Sequence, residues 1–388
     1  MRSELLETYR ALPLPTTRDE HWRFTDLRGF DPDAWTAAAG ADVPDAASFV
    51  ELDAAGIATL DERGLTIVSA PDGIRFERLT DAEPLLGSLV QPDDKLRAHN
   101  AAVWEHGLVV HVPAGVELDR PLFLRVTNTV DGGSLFWRVL VVAEEGSRFT
   151  LIEELASASS ELSGYANGAV EIVVHDGAKV EYVSVQNLSK RTWLFSSNHA
   201  RVERDAELDW VAGGFGSEKG KVWIQNDLVG RGATSRVTGA YFADGTQHLD
   251  YDTYQLHAAP DTESDFAFKG ALRDSARTVW RGMIRVEEGA QKTNAYQENR
   301  NLLLSKTASA NSIPGLEILA NDVRCTHGAT LSQVDREQLF YLMARGLPRS
   351  EAERLIVRGF FQDVLDRVEL EPVRDALGAA LEARIPRA

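Results

Sequence analysis

Gly177-Ala-Lys-Val-Glu-Tyr-Val-Ser-Val-Gln186 is the stretch that decides how this chain folds. A small turn dipeptide comes first, then a run rich in β-branched and aromatic residues, the composition of a strand. The unit recurs at Gly146-Ser147, followed by Phe149 to Glu153, and at Asp205-Ala206, followed by Leu208 to Val211. It returns at Gly232-Ala233, Ser275-Ala276 and Gly289-Ala290. Neighbouring members mostly stand about 30 residues apart, a period that marks stacked repeats. Glycine or aspartate suits a tight corner, the small second residue tucks inward, and each strand stacks on its counterpart one coil away. The expected fold is mainly β, a right-handed parallel β-helix. A large sandwich or jelly roll competes, and the repetition favours the solenoid.

Working outward, three regions separate. Residues 1–98 read as helical and loop-rich, with an Ala- and Asp-rich stretch from Trp35 to Ala47 and a short strand at Leu65 to Ser69. Residues 99–330 hold the β-formers: Val109 to Val112, Phe123 to Val126, Val170 to Val174 and Arg277 to Trp280 extend the series. Residues 331–388 turn helical. A helix over Asp335 to Arg345 ends at Gly346, placed as a C′ glycine, with Pro348 beyond it. Ser350-Glu-Ala-Glu353 reads as a capping box, opening a helix with Ala352, Leu355, Ile356, Phe360 and Val364 on one stripe. Pro372 suits the first position of a third helix through Leu377 and Leu381. These helices are expected to cover the open last coil, whose strand edge invites pairing.

Composition narrows the function. The chain has 388 residues, 44% hydrophobic and 26% charged, the make-up of a soluble globular protein. Its formal net charge of −18 argues against nucleic acid and anionic membrane as partners, since both select a basic footprint. A single cysteine rules out an internal disulfide framework and suits a reducing compartment. The first residues lack the apolar core of a signal peptide, and no apolar run approaches the roughly 18 residues of a membrane span. The expected location is the cytoplasm.

The one cysteine is Cys325, two residues before His327. Thiolate and imidazole suit iron, zinc and copper. In an extended segment both leave the same face, because side-chain direction alternates. A pair cannot complete an iron–sulfur cluster, which takes about four ligands, so any others come from another chain. The alternative is a small buried thiol beside an ordinary histidine.

Other motifs carry less. Gly213-Gly-Phe-Gly-Ser-Glu-Lys-Gly-Lys221 departs from the phosphate-loop pattern at Phe215 and Val222, and reads as a flexible loop. His248, Asp250 and Asp252 share one strand face, with His257 and Asp265 as possible neighbours; a solvated acidic face is favoured over a hard-metal site. His21-Trp-Arg-Phe-Thr-Asp-Leu27 reads as an anchor with Trp22 and Phe24 buried. Gly-x-Ser-x-Gly and His-Glu-x-x-His are absent.

Several long segments together resemble the SufB/SufD family of the SUF iron–sulfur assembly system. They are Gly239-Ala-Tyr-Phe-Ala-Asp-Gly-Thr-Gln247, Phe268-Lys-Gly-Ala271, Gly289 to Ser305, Pro314-Gly-Leu-Glu-Ile318, Asp322-Val-Arg-Cys-Thr-His-Gly-Ala-Thr330 and Gln338 to Gly346. Within the family, one cysteine in the form Cys-x-His-Gly-Ala-Thr favours the SufD side over SufB. Arg324 and Thr326 replace the commoner Lys and Ser of that motif. The resemblance implies a β-helix with helical flanks, serving as a non-catalytic scaffold. It implies a complex with one SufB and two copies of the ATPase SufC, which docks on the C-terminal helices. Leu339, Phe340, Leu355, Ile356 and Phe360 are the docking candidates. It further implies a transient iron–sulfur cluster at the SufB interface, with His327 and Cys325 as this chain's candidate ligands. It leaves open a reduced flavin in the complex and a homodimer in isolation. A carbohydrate-active β-helix enzyme and an iron-free binding solenoid are the alternatives. The first calls for secretion and a groove of charged groups, the second for a dispensable Cys325 and His327.

Overall fold

The computed structural model describes residues 2–36 and 48–385; most of the Ala- and Asp-rich stretch before Ser48 lies outside them. Nineteen strands form two long sheets among the described residues. From His106–Val112 onward consecutive strands alternate between the sheets, and every pairing from coil to coil is parallel. This is a parallel β-solenoid of about eight turns. Among the described residues antiparallel pairing occurs only at the N-terminal end, where Gly64–Ser69 folds back on Gly56–Asp61 and Arg75–Arg78 pairs with His106–Val112.

The repeat that announced the fold sits at one corner. Gly146, Gly177, Asp205 and Gly232 take left-handed backbone angles, φ 67°, 66°, 56° and 74°. The residue after each (Ser147, Ala178, Ala206, Ala233) is fully buried. Ser275-Ala276 and Gly289-Ala290 do not continue this column. Its next members are Asp261-Thr262 and Lys292-Thr293, with φ of 58° and 62°. Threonine replaces alanine there, and the Thr262 and Thr293 hydroxyls bond to each other at 3.1 Å. Ser275 instead follows the left-handed Asp274 at the opposite corner.

Inside the solenoid, side chains stack in columns. One runs Leu122, Leu151, Tyr182, Trp210, Val237, Phe266, Gln297 and His327. The early coils are mostly apolar, with Glu153 accepting from the buried Trp137 and Tyr182; the later ones carry more buried amides and hydroxyls, including Gln255, Gln297, Asn299 and Asn301.

The helices are α1 (Arg2–Ala11), α2 (Lys95–Val103), α3 (Arg336–Ala344), α4 (Arg349–Leu365) and α5 (Glu371–Ala383). They do not close the last coil. Helices α4 and α5 lie on the outer face of one sheet, with Val357, Phe361, Val364 and Leu377 against Val211, Ala240, Phe242 and Ala271. Their apolar stripes are buried against that flank instead of the coil end. The terminal strand Arg324–Gln333 consequently stays largely exposed.

Local expectations also shift. Helix α4 starts at Arg349 after Pro348; the Ser350 hydroxyl is buried without a partner, and Glu353 pairs with Arg349 at 2.8 Å. The capping box therefore does not form. The buried stripe of α4 is Ala352, Val357, Phe361, Val364 and Leu365, whereas Leu355 is exposed. Gly346 does take φ 93° after α3, and Pro372 does sit in the first turn of α5.

On the other flank the His21 to Phe30 segment straps across the second sheet. Trp22 and Phe30 pack among Tyr165, Trp193, Phe195 and Trp223. Phe24 is exposed, against expectation, and lies beneath the Arg23 guanidinium. Buried carboxylates stitch neighbouring loops to the solenoid. Glu171 accepts the backbone N–H groups of Gly87, Leu89 and Val90 at 2.7–3.0 Å, and Glu154 accepts those of Phe49 and Val50.

Candidate functional site

Cys325 and His327 lie on Arg324–Gln333, the last strand and the edge of the ten-stranded sheet. Cys325 is in register with Ala295 and His327 with Gln297. Ala295 and Gln297 are both buried, so the two candidate ligands belong to the inward-facing columns. Among the described residues no further coil lies beyond this strand, so columns that are interior elsewhere come to the surface here.

The two groups then differ. Cys325 is half-buried against Ile284, Val286, Ala290, Ala295 and Ala320. Burial pushes its thiol pKa up, a hydrogen bond with the Ala295 backbone pulling the other way. Burial therefore favours the neutral thiol, and ligation requires its proton to leave. His327 is exposed. Beneath it the floor is polar. The Gln297 amide donates to the carbonyls of Gly315 (2.9 Å) and Gly282 (3.3 Å) and accepts from Gln255 (3.4 Å). Among the described residues no cluster of three or more His, Cys, Asp or Glu is arranged to hold a metal ion. The geometry offers one thiol and one imidazole on an open edge, a partial ligand set.

The second candidate surface is a groove of about 1000 Å³ between α3 and α4. Leu355, Ile356 and Phe360 line it, joined by Tyr341, Leu342 and Leu302. Leu339 and Phe340 do not: Leu339 is buried, and Phe340, 73% exposed, is not part of the lining. Tyr341 and Leu342 escaped the sequence reading because α3 has no clear apolar stripe to orient it.

The acidic strand face is not solvated. His248, Asp250 and Asp252 are buried beneath the strap, and Lys221, equally buried, donates to Asp250 at 2.9 Å. Lys221 also lies 3.6 Å from Asp252 and near the rings of Trp22 and Trp223. Thr25 donates to Asp250 and meets His248 at 2.8 Å; His21 meets Asp252 at 2.7 Å. Burial works to raise the Asp252 pKa, yet the His21 hydrogen bond and the Lys221 charge prevail and hold it low. Burial dominates at His248 and lowers its pKa. This network anchors the strap. Neither His257 nor Asp265 belongs to it. His257 is buried inside the solenoid between Thr262 and Ser264, and Asp265 pairs with Arg367.

The Gly213–Lys221 stretch is not a flexible loop either. Glu207–Gly214 and Lys219–Leu228 are strands, leaving only a short corner with Phe215 and Ser217 fully buried. A Cβ on Gly216 would lie 2.1 Å from the Leu188 carbonyl oxygen, so the backbones meet where only glycine fits.

Fold and site together define a β-solenoid protein with Cys325 and His327 on its open terminal edge and a helical groove on its flank. Residues 125–360 match the family described as SUF system FeS cluster assembly, SufBD core domain. An iron–sulfur cluster assembly SufBD family protein of Mycobacterium tuberculosis is 31% identical over 384 residues, which cover 96% of this chain and 89% of that one. A Mycobacterium leprae member of the family is 30% identical over 381 residues, covering 96% and 91%. A Staphylococcus epidermidis member is 28% identical over 312 residues, covering 80% and 67%. The chain belongs to the SufBD family of iron–sulfur cluster assembly proteins. Among the described residues no helix is long and apolar enough to cross a membrane.

Proposed function

We propose that this chain is the SufD-type scaffold subunit of a cytoplasmic assembly complex. It pairs edge to edge with a SufB-type chain and takes two copies of the SufC-type ATPase into the complex. The observation that carries the reading is the edge strand Arg324–Gln333, paired with Asn294–Leu303 on one side and open on the other, with Cys325 and His327 two residues apart in its inward-facing columns. A sheet edge of ten residues presents a row of free backbone donors and acceptors, suited to strand addition by a partner. The nascent cluster is the complex's product, and this chain lends it His327, with Cys325 beside it, while the partner supplies the remaining ligands. The groove lined by Leu355, Ile356 and Phe360 is apolar enough to seat a helix or loop of the ATPase. ATP-driven closure of the ATPase pair then shifts α3 and α4 against the sheet.

The test is co-expression with SufB- and SufC-type chains, purification through this chain, and assay of iron and sulfide. A stoichiometric complex yielding both elements is expected. A chain that purifies alone, metal-free and indifferent to the ATPase would overturn the reading.

A further inference from the structure

One buried ammonium ties helix α4 to the solenoid. Lys269, on strand Glu263–Leu272, is only 4% exposed. Its Nζ donates to the Phe360 carbonyl at 2.7 Å and to the Asp363 carboxylate. It also lies 4.9 Å from the centroid of the Phe360 ring. That ring lines the α3–α4 groove. A single aromatic side chain therefore meets the groove and the sheet's buried charge.

Both acceptors belong to one turn of α4. If the helix slides, Lys269 either moves with it or loses its acceptors while buried, and an unpaired buried charge is strongly disfavoured. The other polar ties lie just past the end of α4 and are more exposed. Arg367 donates to the Thr238 hydroxyl at 3.1 Å and to the Asp265 carbonyl and carboxylate at 3.1 and 3.2 Å, and Arg236 meets Glu369 at 3.5 Å. Within the sheet the register runs from Lys269 to Arg300 and then to Thr330, three residues beyond His327 on the same strand.

We propose that Lys269 is a positioning residue that transmits occupation of the α3–α4 groove to the strand carrying Cys325 and His327. The proposal rests on the reading that this groove receives the ATPase. Phe360 senses the occupant, Lys269 couples the helix to its strand, and the parallel ladder carries the shift to the edge.

The experiment uses the whole complex with Lys269→Met, Lys269→Arg and Asp363→Asn. Three quantities are read: affinity for the ATPase chain, rate of ATP hydrolysis, and iron–sulfide assembled per ATP. Lys269→Met and Asp363→Asn are expected to bind and hydrolyse as the parent does, while cluster per ATP falls by about fivefold or more, the lower range of allosteric coupling. Lys269→Arg should restore part of the loss. Asp363 is mostly solvent-facing, so its variant tests the coupling even if Lys269→Met folds poorly. Unchanged cluster per ATP would overturn the proposal. So would a loss that merely follows the amount of ATPase bound, because Lys269 would then only shape the groove. Failure of the parent complex to bind the ATPase is a different result and defeats the functional reading itself.

Discussion

His327 stands in register with Gln297, and that pairing determines what the histidine can reach. Gln297 is wholly buried with its amide committed to Gly282, Gly315 and Gln255. Behind it the same column runs through Phe266 and Trp210 toward Leu122. His327 therefore occupies a position that packs the interior in every earlier coil, but here nothing covers it. An inward residue left open at a sheet edge is available to whatever completes the sheet.

Replacing His327 with alanine should accordingly leave the chain's own stability within about 0.5 kcal/mol of the parent, because an exposed side chain is removed. The iron and sulfide recovered with the assembled complex should fall severalfold. Urea melts of the isolated chain and metal analysis of the complex separate the two effects. A His327→Ala chain that no longer assembles would make the residue structural.

A different histidine predicts the acid response. His257 is buried inside the solenoid, and burial lowers its pKa from 6.5 to about 4. Between those values the unfolded chain binds a proton that the folded chain refuses. Its contribution is present above pH 6.5, is lost as pH falls toward 4, and is flat below. The loss is about 3 kcal/mol, at 1.36 kcal/mol per unit of pKa difference. His257→Gln should flatten this part of the stability–pH curve, read from urea midpoints at pH 7, 6, 5 and 4. An unchanged slope would show that other groups govern it.

Lys221 supplies a prediction about the strap. With Met in its place, Asp250 and Asp252 remain buried without their cation, which should cost about 3–5 kcal/mol. Removing the charge on both sides with Lys221→Met and Asp250→Asn together should recover much of the loss. A double-mutant cycle on unfolding free energy measures the coupling; additive losses would mean that the two groups act independently.

Corners and strands were legible in the sequence because they obey local rules. Gly146, Gly177, Asp205 and Gly232 need left-handed backbone, and the residues after them must be small. The series was lost at Asp261-Thr262 and Lys292-Thr293, where threonine replaces the small second residue and, at Lys292, a long side chain holds the left-handed corner. The Cys325 and His327 pair was legible because strand alternation is periodic. Burial of Asp250 and Asp252 was not, since their cation lies one coil earlier and the strap that covers them lies more than 200 residues away. The helices' resting place was hidden for a similar reason. An apolar stripe says that α4 packs, not which of two apolar surfaces it meets.

The groove offers the most direct test of partner choice. Leu355 is 48% exposed at its wall and is absent from the buried stripe that holds α4 to the sheet. Leu355→Asp should therefore change unfolding free energy by no more than about 0.5 kcal/mol, as surface substitutions generally do. The same change puts a charge into an apolar contact. Truncating a well-packed interface residue costs about 2 kcal/mol or more, and an unpaired carboxylate there should weaken the ATPase chain at least thirtyfold, near 2 kcal/mol. Phe340→Asp serves as the counterpart: Phe340 is more exposed, yet it does not line the groove. If the groove is the docking surface, Leu355→Asp loses the ATPase and Phe340→Asp keeps it, as measured by titration calorimetry. The reverse pattern would move the docking surface to the outer face of α3. Equal losses would enlarge it to both helices.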